Sequence, residues 1–146
     1  MTKRKEESRA RILEAAAELF RVKGFTATGV DELMSAAGLT AGAFYAHFDS
    51  KQDLFDCTLE HVLATAFPRL TKGINLAAVP DPIAEMMARY VSEAHRDHPE
   101  LGCAIPAVAG EIARHSGKGP EILAKHLDRW AKLFARYLPG SAAERL

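Results

Sequence analysis

TGVDELMSAAGLTAGAFYAHF, residues 28–48, is the stretch on which the reading of this chain turns. It contains two short helical segments, 29–37 and 40–48, joined by Gly38-Leu39-Thr40. Gly38 can take the left-handed conformation that a tight helix–helix turn needs. Leu39 then points an apolar side chain back into a small core. Thr28 is the expected N-cap of the first segment, with Asp31 three residues on, and Thr40 can cap the second. Phe44 and Phe48, four apart, read as core residues that wedge the second segment against the first helix of the chain, over 8–23. Two short helices about a glycine turn form a helix-turn-helix pattern, whose second helix can lie in a major groove.

Outward from this stretch the chain reads as helix throughout. Ile12, Leu13, Ala16, Leu19 and Phe20 recur at helical spacing over 8–23, and Gly24 is a stop signal. Ser50, with Asp53 three on, opens a longer helix over 51–67 that Pro68 bends or ends. Asp81-Pro82 is an N-cap followed by proline at the first helical position. That helix carries Ile83, Met86, Met87, Tyr90 and Val91 and stops before Pro99. Further helices are expected over 104–115 and 120–138, the latter with Ile122, Leu123, Leu127, Trp130, Leu133 and Phe134 on its apolar side. No β-alternation persists, so the fold class is all-α. Ser141 to Glu144 form a capping-box pattern with only Arg145 and Leu146 after it, and a helix that short cannot nucleate alone. The expectation is a chain that stops just inside an element.

The 146 residues are 48% hydrophobic and 26% charged, which suits one compact unit or two small helical ones sharing a core. The longest apolar run, 103–109, contains a proline and is far below the roughly 20 residues of a membrane span. The charged N-terminus lacks the apolar stretch of a secretory signal, so the cytoplasm is the expected location. With 19 basic and 19 acidic residues, a wholly basic nucleic-acid coat is excluded. A local patch is not: Lys3, Arg4, Lys5, Arg9 and Arg11 stand against only Glu6 and Glu7.

The order Arg11-Ile12-Leu13, Ala15-Ala16, Leu19-Phe20, Gly24, Thr28, Val30, Ala37-Gly38-Leu39-Thr40, Gly42, Phe44-Tyr45, His47-Phe48, Ser50-Lys51 and Leu54 closely resembles the DNA-binding domain of the tetracycline-repressor (TetR) family of bacterial transcriptional regulators. The resemblance covers residues 8–55. It implies an N-terminal three-helix helix-turn-helix DNA-binding domain over 1–50 and a C-terminal helical effector-binding domain over 51–146. It also implies that the chain ends before the family's two dimerisation helices. Members are usually homodimers that bind double-stranded operator DNA, commonly palindromic, and a small-molecule effector. The expected function is therefore sequence-specific regulation by a repressor that an effector releases from its operator. The alternative is a helical small-molecule-binding or protein-interaction module with little DNA binding.

Within the reader, Thr40, Ala41, Gly42 and Ala43 lie at the N-terminal end of the second segment, where base edges are met. The alanines offer only methyl groups, suited to a thymine methyl, and Gly42 lets the backbone approach closely. So few hydrogen-bonding side chains leave part of the specificity to the basic arm and to DNA shape. By resemblance, Tyr45 and His47 occupy positions that contact phosphates. Lys51 adds its charge to the positive end of the helix it opens, and Thr28 stands at a helix start by the same logic. The helix that Lys51 opens would connect reader to effector domain, so a small pivot would change the separation of two recognition helices in a dimer.

Candidate pocket residues are Phe67, Met86, Met87, Tyr90, Val108, Ile112, His126 and Trp130, mostly apolar with a few polar tips. His95 and His98 have a spacing that can hold a metal, but solvated histidines at a helix end are the expectation, with no metal and no cofactor. Cys57 and Cys103 read as buried, inert thiols. Gly117-Lys118-Gly119 lacks phosphate-loop spacing. The six histidines and the carboxylates form no catalytic constellation, so no enzyme is expected.

Overall fold

The computed structural model describes residues 3–114 and 117–138, and within them the only regular structure is helical. The chain-terminal capping box at 141–144 and His115 lie outside the described residues.

Helix α1 spans Lys3–Lys23 and buries Ile12, Leu13, Ala15, Ala16, Ala17 and Phe20 along one stripe. It starts five residues before the apolar periodicity does. Residues 3–7 are Lys, Arg and Glu, strong helix formers that extend a nucleated helix without needing a core. The expected basic residues therefore lie along the first turns of α1, with Lys3, Arg4 and Lys5 exposed and Arg9 half-buried. Gly24, at φ +82°, ends α1.

Helix α2 spans Val30–Ala36 with Gly29 as N-cap and no side-chain cap. Thr28, the expected cap, is 1% exposed, and its hydroxyl donates to the carbonyl of Gly24 at 2.8 Å. A buried hydroxyl needs an acceptor, and the open C-terminal end of α1 supplies one. The far end of α2 closes as the glycine predicts. Gly38, at φ +66°, donates its N–H to Ser35 O at 2.9 Å, and Leu39 N–H donates to Met34 O at 2.8 Å. These are the paired bonds of a Schellman cap.

The second segment of the motif is shorter and tighter than expected, a 3₁₀ helix over Ala41–Ala46. Its i→i+3 bonding suits a single short run that contains a glycine. Helix α3 spans Lys51–Leu70. Ser50 Oγ accepts from Asp53 N at 3.0 Å, and Asp53 in turn accepts from Asp49 N at 3.1 Å. Pro68 does not end α3, which continues two residues further. Less than one turn remains there, and Arg89 donates to the carbonyls of Leu70, at the helix end, and Lys72 beyond it.

Helix α4 spans Pro82–Tyr90, with Asp81 accepting from Ala84 N at 2.9 Å. The single helix expected up to Pro99 is two. Ser92 caps a separate α5, Glu93–Asp97, by accepting from His95 N, and so competes with continuation of α4. A 3₁₀ turn follows over Pro99–Leu101, then α6 over Ala104–Arg114 and α7 over Gly119–Ala135. Helix α7 ends three residues short of its expected end at 138.

One continuous core joins the two halves. Phe20 and Phe25 from the reader pack on Phe55 of α3, with Phe25 and Phe55 ring centroids 4.5 Å apart. Ala104, Val108 and Ile112, four apart along α6, close the same cluster. Reader and body are thus cemented by aromatic packing. Among the described residues no helix is long and apolar enough to cross a membrane.

Candidate nucleic-acid interface

The turn over 40–48 sorts its side chains by burial. Phe44 and Phe48 are 1% and 2% exposed, with ring centroids 5.9 Å apart. Arg9 of α1 lies over the Phe48 ring at 4.7 Å and donates to Cys57 Sγ at 3.1 Å. These aromatics anchor the 3₁₀ helix, and between them Tyr45 and Ala46 face outward while His47 is half-buried. Tyr45 is 75% exposed and stands edge-on to Phe44 at 5.2 Å. Thr40, Ala41 and Gly42 are exposed, whereas Ala43 is half-buried and packs against the core. Thr40 occupies the N-cap position but makes no side-chain capping bond, so its hydroxyl is not spent on the helix.

Gly42 has no structural requirement in this fold. Its φ is not positive, and a Cβ there would meet nothing within 4 Å. Three residues apart, Gly42 and Tyr45 share one row of the 3₁₀ helix. A glycine beside an exposed tyrosine leaves room for something bulky to approach the backbone.

His47 is half-buried, and its Nδ1 is buried without a hydrogen-bond partner. Desolvation, and then the charges of Lys5 and Arg9, hold its pKa below the ordinary histidine value. The ring is therefore neutral at pH 7. The sign follows: a nearby phosphate favours the imidazolium, so binding would take up a proton. If His47 meets a phosphate, affinity rises as pH falls from about 7.5 to about 5.5. His47→Gln should flatten that dependence, and a wild-type profile already flat over this window would remove His47 from the interface.

Lys51 sits at the first position of α3, half-buried. Its Nζ lies over the Phe25 ring at 4.4 Å and donates to Thr26 O at 3.4 Å. Burial, partly offset by the charge of Glu111, holds its pKa below the ordinary lysine value. Thr28 is placed differently from the rest: its side chain is inside, and its hydroxyl is committed to Gly24. A side-chain phosphate contact is thus closed to it. Sequence reading also missed Arg11, whose Nη2 donates to the carbonyls of Ala37 and Gly38. Its basic type suggested DNA, but it braces the turn; a pairing across 26 residues leaves no local signal.

The eight pocket candidates differ in burial and in what they pack against. Val108 and Ile112 belong to the core shared with the reader, and Val108 borders a cleft of about 10 Å³. Met86 is fully buried on α4, Met87 and Tyr90 are exposed, and Phe67 packs edge-on to Phe134 at 5.8 Å. His126 is 1% exposed and bonds Glu60 at 3.0 Å, with Trp130 beside it at 6.4 Å. A larger hollow of about 270 Å³ lies elsewhere, among Glu14, Glu18 and Arg21 of α1, His61, Thr65 and Arg69 of α3, and Glu100. Charged and polar side chains ring it beside Ala17 and Val62, and none of the eight candidates lines it. Both ring nitrogens of His95 are engaged, Nδ1 with Tyr90 O and Nε2 accepting from Cys103 N at 3.0 Å. Both thiols are half-buried, and burial raises the pKa of Cys57, the direction of an unreactive thiol.

Among the described residues the architecture is helical, with an anchored helix-turn-helix whose second element faces outward with few large side chains, the arrangement on which many DNA-binding proteins present a recognition helix. Residues 12–57 match the model for bacterial regulatory proteins of the tetR family. The match covers the helix-turn-helix and the helices on either side of it, about a third of the chain. An HTH-type transcriptional regulator of Bacillus subtilis, YerO, is 32% identical over 98 residues, 65% of this chain and 34% of that protein. The HTH-type transcriptional repressor KstR2 of Rhodococcus jostii is 39% identical over 98 residues, 64% of this chain and 48% of that one. The chain thus spans a third to a half of the length of these relatives. A TetR transcriptional regulator from Chloroflexus aurantiacus superposes with a TM-score of 0.75 at 26% identity, covering 90% of this chain and 67% of that structure.

Proposed function

We propose that this protein is a DNA-binding transcriptional regulator, a repressor that leaves its operator when a small molecule binds the helical body. The observation that carries the reading is the division within residues 40–48. Phe44 and Phe48 are buried, while Thr40, Ala41, Gly42 and Tyr45 are exposed and Thr40 makes no side-chain cap. Thr40 and the Ala41 methyl meet base edges, and Tyr45, His47 and Lys51 hold phosphates. The N-terminal turn of α1, with Lys3, Arg4 and Lys5 exposed, adds backbone charge contacts. The domain assignment and the likeness to a repressor support the same reading.

The working form is a homodimer reading two half-sites, in the cytoplasm where operator DNA lies. The effector sits against α3, α4 and α7, around Phe67, Met86, Met87, Tyr90, His126 and Trp130. Helix α3 runs from Lys51 into that region, so a ligand that tilts it moves the reader.

Selection of bound duplexes from a random pool, at low and moderate salt, tests this. The expected result is an enriched palindrome whose affinity falls steeply with salt. Enrichment of a single half-site would mean reading by monomers. No enrichment at either salt would overturn the reading in favour of a helical binding module.

A further inference from the structure

We propose that Glu111 is a positioning residue for DNA contact, holding the α1–α2 loop and, through it, the phosphate-facing Lys51. The inference rests on the regulator reading above.

Glu111 lies on α6, in the helical body, 85 residues from the loop it binds. Its Oε2 accepts from Phe25 N at 2.6 Å, and its Oε1 accepts from Thr26 N at 2.7 Å. One carboxylate thus grips two successive backbone N–H groups with both oxygens, a strong, charge-assisted arrangement. The same two loop residues hold Lys51. The Phe25 ring lies beneath its ammonium at 4.4 Å, and Thr26 O accepts from it at 3.4 Å. Body, loop and Lys51 therefore form one chain of contacts.

Two further observations fit this linkage. Gly24, just before the loop, has φ +82°, and a Cβ there would stand 3.2 Å from Glu111 Oε2. Glycine at this position serves both the left-handed turn and the close approach of the carboxylate. Beyond α6, Lys118 N donates to Asp56 Oδ2 of α3 at 3.1 Å. Glu111 and Lys118 thereby tie α6 and the start of α7 to the loop and to α3. A shift of α6 by about 1 Å takes both Glu111 bonds past hydrogen-bonding distance, so the position of α6 is passed to Lys51.

The chemistry makes an unusual prediction of sign. Removing a carboxylate from near a DNA-facing surface should, by charge alone, tighten binding. If Glu111 positions Lys51, Glu111→Ala instead weakens it, by about tenfold. The test is a double-mutant cycle on the full chain with Lys51→Ala, using a selected duplex over a series of salt concentrations. Each single variant should lower the salt slope by about 0.9, one phosphate contact. The double variant should bind no worse than Lys51→Ala alone. Glu111→Ala binding at or above wild-type affinity, or losses that multiply in the double variant, would overturn the proposal. Amide exchange of Phe25 and Thr26 without DNA is a second readout, expected to quicken about tenfold. Unchanged exchange overturns the grip itself. Glu111→Gln serves if the alanine variant folds poorly. Wild-type protein that binds no duplex at low salt would sink the regulator reading, while amide exchange would still judge the grip.

Discussion

Phe44→Ala is expected to lower stability by about 3–5 kcal/mol, while the neighbouring Tyr45→Phe leaves stability within about 0.5 kcal/mol. Phe44 is 1% exposed and packs against Phe48, so its loss leaves a cavity where the 3₁₀ helix meets α1 and α2. The melting temperature should drop by about 10 °C or more, and the recognition turn should lose its anchor. Tyr45 is 75% exposed and keeps its edge contact with Phe44 as phenylalanine. Its variant should weaken binding to all duplexes by about three- to tenfold, because a lost phosphate bond carries no sequence preference. Thermal melts and titrations against a duplex panel separate the two. A Tyr45→Phe variant that changed sequence preference, or a Phe44→Ala variant as stable as wild type, would contradict this division.

Gly38→Val is the second large effect, expected to cost about 2–3 kcal/mol. Gly38 has φ +66°, where a β-branched residue is strained, and its N–H is one of the two bonds that close α2. A Cβ there would also press on Arg11 Nη2, at 2.5 Å. That guanidinium is a flexible end and can move, but moving it gives up its bonds to the Ala37 and Gly38 carbonyls. Gly38→Asn separates the two causes, since asparagine tolerates the left-handed region. If strain dominates, Asn should recover most of the loss in denaturant titrations. Equal losses for Val and Asn would assign the cost to Arg11. In either case the angle between α2 and the recognition turn should shift, and DNA affinity with it.

Much of the fold was legible because its signals are local. Gly24, Gly38, Ser50 and Asp81-Pro82 end or start helices through bonds to residues within a single turn. Ile12, Ala16 and Phe20 reveal a buried stripe through spacing alone. The candidate site was legible in part. The motif located residues 40–48 and separated Phe44 and Phe48 from Tyr45. It did not reveal that Thr28 is inside, that Ala43 packs against the core, or that Arg11 braces the turn. Each of these depends on which faces meet, and residue type is silent about that.

By itself, then, the sequence determined the all-α class, the helix-turn-helix and most of the helix ends. Caps and periodicity are settled among chain neighbours, whose geometry is nearly independent of the rest of the molecule. Tertiary structure alone decided what the side chains do once the helices pack. It placed Val108 and Ile112 in the core shared with the reader, and opened a hollow ringed by charged side chains between α1 and α3. It gave Gly24 to Thr28 as a hydrogen-bond partner, and carried the Glu111 carboxylate across 85 residues to two backbone amides. Burial and long-range pairing follow from how helices dock, and docking minimises exposed apolar area over the whole chain at once.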